Sequence, residues 1–356
     1  MINIKKGIYV TLLLGWLVII FISGVYAKTI IVSPEMSLEE IGQKIQDEAV
    51  AGDIIKFEPG LYRGTLHLKK LNGLDSKPII LSGEPGVIID ARTEEDLQEN
   101  KYGGSSIILE KSSNITIENF ELTGGQRGIT LGYCNNITIR NNKIHHIRNY
   151  GIMNYKTNNT KIINNYIAYS EVEHGIYISA SAKDILIKDN YIRDTHINGI
   201  HINGEIDGVT IEGNILYRSG KYPSPAGGAG ITVINGARNI KIINNSFLDI
   251  HGQGFTLLGK DIIIKNNLIK NTRWSVILVK GEAENITFTN NIVIEESSIP
   301  LQIEPTKLTT INIDNNFYIL GSEYIYLDIN TYKKYKPSEW IAKGFDKNSI
   351  FTRIKF

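Results

Sequence analysis

The chain has 356 residues, of which 42% are hydrophobic and 21% are charged, and its net charge at pH 7 is +1. This length allows a large buried core, and the balanced charge excludes the basic stripe that a nucleic-acid-binding protein needs. The single cysteine, Cys134, excludes an internal disulfide framework.

The N-terminus has the pattern of a secretion signal. Lys5 and Lys6 precede an apolar stretch at residues 8–22, and small residues follow as far as Ala27. The stretch is short for a membrane-spanning helix, which needs about 20 apolar residues, so residues 1–27 are predicted to be a cleaved signal peptide. An uncleaved N-terminal anchor is the alternative, and it would be the only contact with a membrane. Both place the remaining chain outside the cytoplasm, whether secreted, periplasmic or on the cell surface.

Residues 28–104 are predicted to form an N-terminal cap and the first turns of a solenoid. Ser37 and Glu40 have the spacing of a capping box, and Leu38, Ile41 and Ile45 then fall on one helical face. This short amphipathic helix would cover the open end of a stack of strands, where unpaired backbone groups invite aggregation.

Residues 105–318 carry a sequence repeat. Asparagines recur at intervals of 22–31 residues, each after a short β-branched run such as ITIEN or IKIINN. A period of this length indicates stacked structural repeats, and asparagines at equivalent positions can form a hydrogen-bonded ladder between turns. The nine asparagines are Asn119, Asn142, Asn165, Asn190, Asn214, Asn245, Asn267, Asn291 and Asn316.

A second strand follows most of these asparagines. Its signal is a glycine and then alternating apolar residues, as in HGIYIS (174–179) and NGIHIN (198–203). Two short strands per period and no helical pattern predict an all-β fold, a parallel β-solenoid. The longest interval contains a Gly- and Pro-rich loop at residues 220–228, and residues 319–356 are predicted to close the solenoid.

The alternation along these second strands assigns their residues to two faces. The first and third residues after the glycine are nearly all apolar and are predicted to point inward. The outward positions of the strands near residues 150, 174 and 198 are instead rich in tyrosine and histidine, whereas the flanking turns carry plain Thr, Leu and Ile. A functional site is therefore expected on the outer face of these three turns.

Three residues of this face are candidates for proton transfer. Tyr177 and His201 occupy the same position on neighbouring turns, so their side chains are expected about 5 Å apart, and His174 is expected roughly 10 Å from Tyr177 along the strand. Imidazole and phenol suit a general base and a general acid, so His201 or His174 is the predicted base and Tyr177 the predicted acid. The alternative interpretation is an ordinary cross-strand row on a sheet surface.

Other polar residues nearby are candidates for substrate binding. Tyrosine rings suit the faces of sugars because they offer apolar area with a polar tip, and cations would neutralise a carboxylate. The candidates are Arg127, Arg148, Tyr150, Tyr155, Lys156, Ser179, Asn198, Asn203 and Glu205. Glu173, Glu205 and Asp207 are oxygen donors suited to Ca²⁺, although no ligand spacing in the sequence is diagnostic of a metal site.

Several segments resemble proteins of the pectate-lyase-like superfamily of right-handed parallel β-helices. AGDIIKFEPGLYRGTLHL (51–68) and KPIILSGEPGVIID (77–90) are similar to the opening of secreted polysaccharide lyases, including the chondroitinase B and alginate lyase group. HGIYIS, NGIHINGE and the tail SEWIAKGFDKNSI (338–350) resemble segments of bacterial β-helix proteins. The resemblance implies the fold and a carbohydrate-related activity. Lyases of this class use either a Ca²⁺-bound uronate with a Lys or Arg base, or a Tyr/His pair. The metal-ligand motif of the former and the Asp-Pro-His-Asp motif of alginate epimerases are absent from the sequence.

The leading functional expectation is a polysaccharide lyase that acts by β-elimination on a glycan containing uronic acid. A non-catalytic β-helix that binds glycan or protein through the Tyr/His face is the second expectation. A hydrolase or an epimerase is the third, although a hydrolase requires two opposed carboxylates.

Overall fold

The computed structural model describes residues 27–221 and 228–354. The predicted signal peptide therefore lies outside the described residues, apart from Ala27. Within the two described ranges, no helix is both long and apolar enough to span a bilayer.

The described chain winds into a parallel β-solenoid whose turns each contribute strands to three sheets. The first sheet contains the β-branched runs that precede the asparagines, and the third contains the glycine strands. The second sheet lies between them in chain order, so the expectation of two strands per period was wrong by one. The extra strand follows each asparagine directly, in runs such as YIAYS and SFLDI, whose short alternation is hidden by the turn residues on either side.

The strands of the first sheet pair in parallel from turn to turn. They are Thr29–Val32, Ile54–Phe57, Ile79–Gly83, Ser113–Glu118, Asn135–Arg140, Asn158–Ile163, Arg238–Ile243, Lys260–Lys265, Glu284–Thr289 and Ile311–Asp314. Two long strands, Ile176–Lys188 and Asn198–Glu212, run without a break from the third sheet into the first.

The second sheet has a strand from every turn. Its strands are Gly60–Arg63, Val87–Asp90, Glu121–Thr123, Lys143–Ile147, Tyr166–Ser170, Tyr191–Thr195, Ile215–Tyr217, Ser246–Ile250, Leu268–Thr272, Ile292–Glu295, Phe317–Leu320 and Ile350–Arg353.

The third sheet carries the predicted site. Besides the two long strands, it contains Leu66–Lys69, Gly103–Glu110, Gly125–Gly132, Tyr150–Tyr155, Ala229–Ile234, Gln253–Leu257, Ile277–Val279, Leu301–Ile303 and Tyr326–Asp328, with Lys334–Tyr335 antiparallel at its end.

Helices occur mainly at the ends and in connections. The predicted capping helix is α1, Leu38–Glu48, and the reciprocal capping box of Ser37 and Glu40 is present. Its apolar face, with Ile41 and Ile45 fully buried, covers the N-terminal end of the core. The remaining helices are Glu94–Gln98, the 3-10 helix Pro305–Thr310, and Pro337–Ala342, which buries Trp340 at the C-terminal end.

The core is a stack of aliphatic side chains at equivalent positions. Ile152, Ile176, Ile200 and Ile231 are lateral partners on successive turns of the third sheet and are fully buried. The inward assignment of these positions is therefore confirmed, which leaves the alternate positions of the same strands on the outer face.

The predicted asparagine ladder is present, with one register correction. From Asn142 to Asn316 the eight asparagines are buried, and each Nδ2 donates to Oδ1 of the next at 2.9–3.2 Å. Asn119 does not belong to this column, because the pairing of Glu118 with Arg140 aligns it with Asn141. Asn119 and Asn141 instead occupy left-handed turn positions, with φ of 63° and 58°, and the buried place in the first turn of the column is taken by Phe120.

Candidate functional site

A tight corner between the second and third sheets brings His174 over the outer face. His174 lies in the connection between Tyr166–Ser170 and Ile176–Lys188, and Ser170 Oγ donates to its carbonyl oxygen at 2.8 Å. The next residue, Gly175, approaches the following turn so closely that a Cβ would lie 2.7 Å from Gly199 O. Only glycine allows this approach. At this close corner the His174 ring faces the neighbouring turn.

Two imidazoles are in direct contact at this corner. His174 Nε2 lies 2.7 Å from His201 Nδ1, and the ring centroids are 4.4 Å apart in an edge-to-face arrangement. His174 Nδ1 lies 3.4 Å from Asn198 Nδ2. The His174 residue is only 4% exposed, so both of its ring nitrogens are occupied by protein groups and closed to a substrate.

A continuous row of rings and a guanidinium crosses four turns of the third sheet. Arg127 Cζ lies 5.8 Å from the centre of the Tyr150 ring, Tyr150 stacks on Tyr177 at 5.0 Å, and Tyr177 lies 5.2 Å from His201. The lateral pairing of Tyr177 with His201 is confirmed. The expected distance of roughly 10 Å from His174 to Tyr177 was wrong: the ring centroids are 5.3 Å apart, because His174 sits at the corner and folds back over the strand.

Tyr177 and His201 present the polar atoms at the end of this row. Asn203 Nδ2 donates to Tyr177 Oη at 3.0 Å, and Asn203 is held in turn by Asn235 Nδ2, which donates to its Oδ1 at 2.7 Å. His201 Nε2 is buried and has no hydrogen-bond partner among the described residues. The cluster therefore presents the Tyr177 hydroxyl, held by Asn203, beside a buried ring nitrogen of His201.

Both histidines of the cluster are neutral at pH 7. Burial lowers the pKa of His174 to about 2, with a further contribution from His201, and burial also lowers the pKa of His201 to about 4. Burial raises the pKa of the Tyr150 phenol and of the Glu173 carboxyl, whose Oε2 is 3.4 Å from His174 Nε2. Burial disfavours the charged form of each of these groups.

The buried histidines are expected to make the protein sensitive to acid. The ordinary His pKa of 6.5 in the unfolded chain exceeds both folded values, so below pH 6.5 the unfolded state binds more protons and stability falls as pH decreases toward 4. A His174→Gln/His201→Gln variant should therefore show a smaller loss of the urea midpoint between pH 6.5 and 4 than the wild type.

The exposed Asn312→Ala variant is the control and should keep the wild-type slope. Burial raises the pKa of Glu295 to about 7, so this residue increases stability as the pH falls, opposite to the histidines. Its effect is the same in all three proteins. Equal slopes in the wild type and the double histidine variant would contradict burial of neutral imidazoles.

Some predicted binding residues lie in other local clusters. Tyr155 packs edge-on against Tyr133 at 5.5 Å, and Lys156 Nζ lies over both rings. Ser179 is buried, and its Oγ donates to Asn154 O at 3.4 Å. Ser179 was predicted to face outward, but its hydroxyl is hydrogen-bonded to the neighbouring turn.

Three other predicted binding residues contact protein groups or lie away from the cluster. They are Asn198, Glu205 and Arg148. Asn198 is buried beneath His174 and contacts the imidazole rather than the surface. Glu205 lies in the middle of the long strand Asn198–Glu212, with Oε2 3.8 Å from Arg238 Nη1. Arg148 lies near the phenol of Tyr102 at the corner of the earlier turns.

A cavity of about 520 Å³ lies among connections of the earlier turns. It includes Tyr102, whose pKa is raised to about 12, chiefly by burial and then by its hydrogen bond with Glu171. Glu171 precedes His174 by three residues. Neither residue was predicted, because both lie in connections outside the repeat pattern. The cavity is lined by Arg92, Asn100, Lys101, Tyr102, Thr123, Gly124, His146 and Glu171.

The oxygen donors considered for Ca²⁺ do not converge. Glu173 contacts His174, whereas Glu205 lies near Arg238, and Asp207 is bonded to Arg238 and Asn239. In the part of the chain that the structure describes, no three His, Cys, Asp or Glu side chains are grouped to hold a metal ion. These residues do not fit a calcium site.

Comparison with known proteins agrees with this architecture. The right-handed beta helix region family matches residues 86–247 and 198–318. The chain belongs to the right-handed β-helix family. The all-β parallel β-solenoid predicted from the repeats is thereby confirmed, as are the right-handed β-helix and the pectate-lyase-like superfamily that the resemblance implied. No curated protein matches the sequence.

Solved structures with the same fold include several polysaccharide lyases. The alginate lyase from Paenibacillus sp. str. FPU-7 has a TM-score of 0.62 at 18% identity, covering 74% of this chain and 94% of that one. Pectate lyase Pel9A has a TM-score of 0.54 at 13% identity, with coverage of 86% and 79%. A rhamnogalacturonan lyase has a TM-score of 0.53 at 18% identity and covers 83% of each chain. At these identities the likeness shows the fold alone.

Proposed function

We propose that the protein is an extracytoplasmic polysaccharide lyase that cleaves a glycan containing uronic acid by β-elimination. The observation that carries this proposal is the Tyr177–His201–Asn203 cluster at the end of the ring row on the outer face of the third sheet. Asn203 holds the Tyr177 hydroxyl, His174 holds His201 Nδ1, and the Tyr150 ring stacked on Tyr177 adds aromatic surface of the kind that suits sugars.

β-Elimination makes three chemical demands on such a site. A base must remove the proton α to the carboxyl group, the bond from the adjacent carbon to the glycosidic oxygen must break, and that oxygen must receive a proton. The charge that develops on the carboxylate in between must also be stabilised by placed donors. His201 Nε2 is buried, so the proposal assigns the proton exchange to Tyr177 Oη.

Other residues of the face act around this pair in the proposal. His174 has no free ring nitrogen, so it positions His201 and does not serve as the base. Arg127 lies beyond the Tyr150 ring, two layers from Tyr177, so its guanidinium would bind the carboxylate of a neighbouring sugar. Tyr150, between them, offers its ring edge and hydroxyl to the same stretch of glycan.

The comparisons support a glycan as the partner. Structures of the same fold include an alginate lyase and a rhamnogalacturonan lyase, which are named for the polysaccharides they act on. The secretion pattern of residues 1–27 supports action outside the cytoplasm.

A glycan-binding protein without catalysis is the second candidate, favoured by the unbroken ring row from Tyr150 to His201. A hydrolase is disfavoured, because Glu173 is the single carboxylate in contact with the described cluster and glycoside hydrolysis uses a pair. Binding and elimination differ in whether the polymer is cleaved.

The proposal predicts an unsaturated product. The mature chain, incubated with a panel of polyuronates and sulfated uronic-acid glycans, should raise the ultraviolet absorbance of a C4–C5 double bond on at least one of them, with or without Ca²⁺. Saturable binding on the same panel with no rise in absorbance would support the binding protein and contradict the lyase.

A further inference from the structure

We propose that Asn198 fixes the protons of the His174–His201 pair on Nε2 of both rings, so that neither imidazole acts as a base at Nε2 and Tyr177 alone exchanges protons. The assignment of these roles rests on the proposed lyase function. The assignment of the protons rests on hydrogen bonds within the protein.

The orientation of the Asn198 amide follows from a backbone group. Ala229 N–H can only donate, and its nitrogen lies 3.0 Å from Asn198 Oδ1. Thr232 Oγ1 donates to the same oxygen at 2.9 Å. The atom toward His174 Nδ1, at 3.4 Å, is therefore the amide nitrogen Nδ2, which can only donate.

The amide in turn determines the tautomer of His174. Because Asn198 Nδ2 donates, His174 Nδ1 must accept and carries no proton. A neutral imidazole holds its one proton on the other nitrogen, so His174 carries it on Nε2. The surroundings of Nε2 agree, since His201 Nδ1 lies at 2.7 Å and Glu173 Oε2 at 3.4 Å, and both can accept.

The tautomer of His201 follows in turn from that of His174. Its Nδ1 accepts from His174, so its own proton lies on Nε2, the buried atom without a partner among the described residues. Burial keeps both imidazoles neutral by lowering the pKa of each. The result is a chain of donors that runs from Ala229 N–H through Asn198 and His174 and ends in an unsatisfied N–H at His201.

An Nε2–H imidazole cannot take a proton at that atom, and a neutral imidazole is a poor source of one. His201 therefore does not take the role of base that sequence spacing suggests for it.

Proton exchange then falls to Tyr177. As the phenolate, with Asn203 Nδ2 donating to it, Oη takes the proton from C5 of the uronate. The electrons of that C–H bond form the C4–C5 double bond, and the bond from C4 to the glycosidic oxygen breaks. Oη–H returns the proton to the leaving oxygen, so the phenolate is regenerated and no proton is gained or lost.

Asn198→Asp is expected to reverse the chain. The new carboxylate keeps the bonds from Ala229 N–H and Thr232 Oγ1, but its second oxygen accepts where Nδ2 donated. The proton of His174 then moves to Nδ1, its Nε2 accepts from His201, and His201 Nε2 loses its proton.

Nitrogen-15 NMR of the histidine-labelled mature chain tests the proposal without any substrate. The seven histidines are assigned with His174→Gln and His201→Gln variants. The wild type at pH 7 should show His174 and His201 protonated at Nε2 and bare at Nδ1, and Asn198→Asp should show the reverse. Thr232→Val is the control: it removes one donor to Asn198 but leaves Ala229 N–H, so the wild-type tautomers should persist.

A wild-type spectrum with a proton on Nδ1 of either ring overturns the proposal, even if Asn198→Asp does not fold. So does an Asn198→Asp protein that keeps His174 Nδ1 bare. If the predicted tautomers are found but no polysaccharide yields an unsaturated product, the hydrogen-bond chain stands and the lyase function fails, so the two failures are distinguishable.

Discussion

A Tyr177→Phe variant is expected to lose about 10²- to 10⁴-fold in kcat/KM on the polysaccharide that the wild type cleaves. Phenylalanine keeps the ring that stacks on Tyr150 and lies beside His201 but lacks the hydroxyl that receives the Asn203 hydrogen bond. Binding of the glycan should change little, because the ring face remains. The measurement is the initial rate of absorbance increase, together with the dissociation constant from calorimetry.

Tyr191→Phe is the matched control. Tyr191 lies on the second sheet, stacked on Tyr166 at 5.7 Å, away from the cluster, so its loss of a hydroxyl should leave the rate within about twofold, since surface substitutions cost little. A Tyr177→Phe protein with the wild-type rate would remove Tyr177 from the chemistry.

The largest expected effect on stability comes from the middle of the asparagine ladder. Asn214 Nδ2 donates to Ile187 O, Glu212 O and Asn245 Oδ1, and its Oδ1 accepts from both nitrogens of Asn190. Asn214→Ala leaves several of these buried groups without partners. Each costs about 1–3 kcal/mol, so the loss in the free energy of unfolding is expected on the order of 4 kcal/mol.

Urea unfolding followed by circular dichroism measures this loss, with Asn312→Ala as the control. Asn312 is exposed on the first sheet, and its truncation should change the free energy of unfolding by less than about 0.5 kcal/mol. An Asn214→Ala protein as stable as the control would show that the ladder does not stabilise the solenoid.

The fold was predictable because residues at equivalent positions of successive repeats occupy equivalent places in the structure. Ile176 and Ile200 point inward, and Tyr177 and His201 outward, since slipping a strand by one residue would expose the isoleucines. The second sheet escaped prediction because its strands are short and directly follow the asparagine turns. Asn119 was wrongly assigned to the buried asparagine column, where Phe120 stands. The first turn has an Asn-Phe pair at the place where most later turns have Asn-Asn.

The composition of the site was largely predictable, but its hydrogen bonds were not. Alternation treats each strand as straight, so it could not show that the corner at Gly175 folds His174 back to within 2.7 Å of His201. The role of Asn198 depends on the backbone N–H of Ala229 from the following turn. Tyr102 and Glu171 lie in connections whose position depends on the folded chain.

The proposed activity of this face of the third sheet is the cleavage of a uronic-acid glycan by elimination. Mass spectrometry of the products from the mature wild-type chain tests it most directly. Elimination yields a new non-reducing end that is lighter by one water than the product of hydrolysis, and this species should appear with the wild type and disappear with Tyr177→Phe. Products carrying the added water, or an uncleaved polymer across the whole panel, would contradict the account.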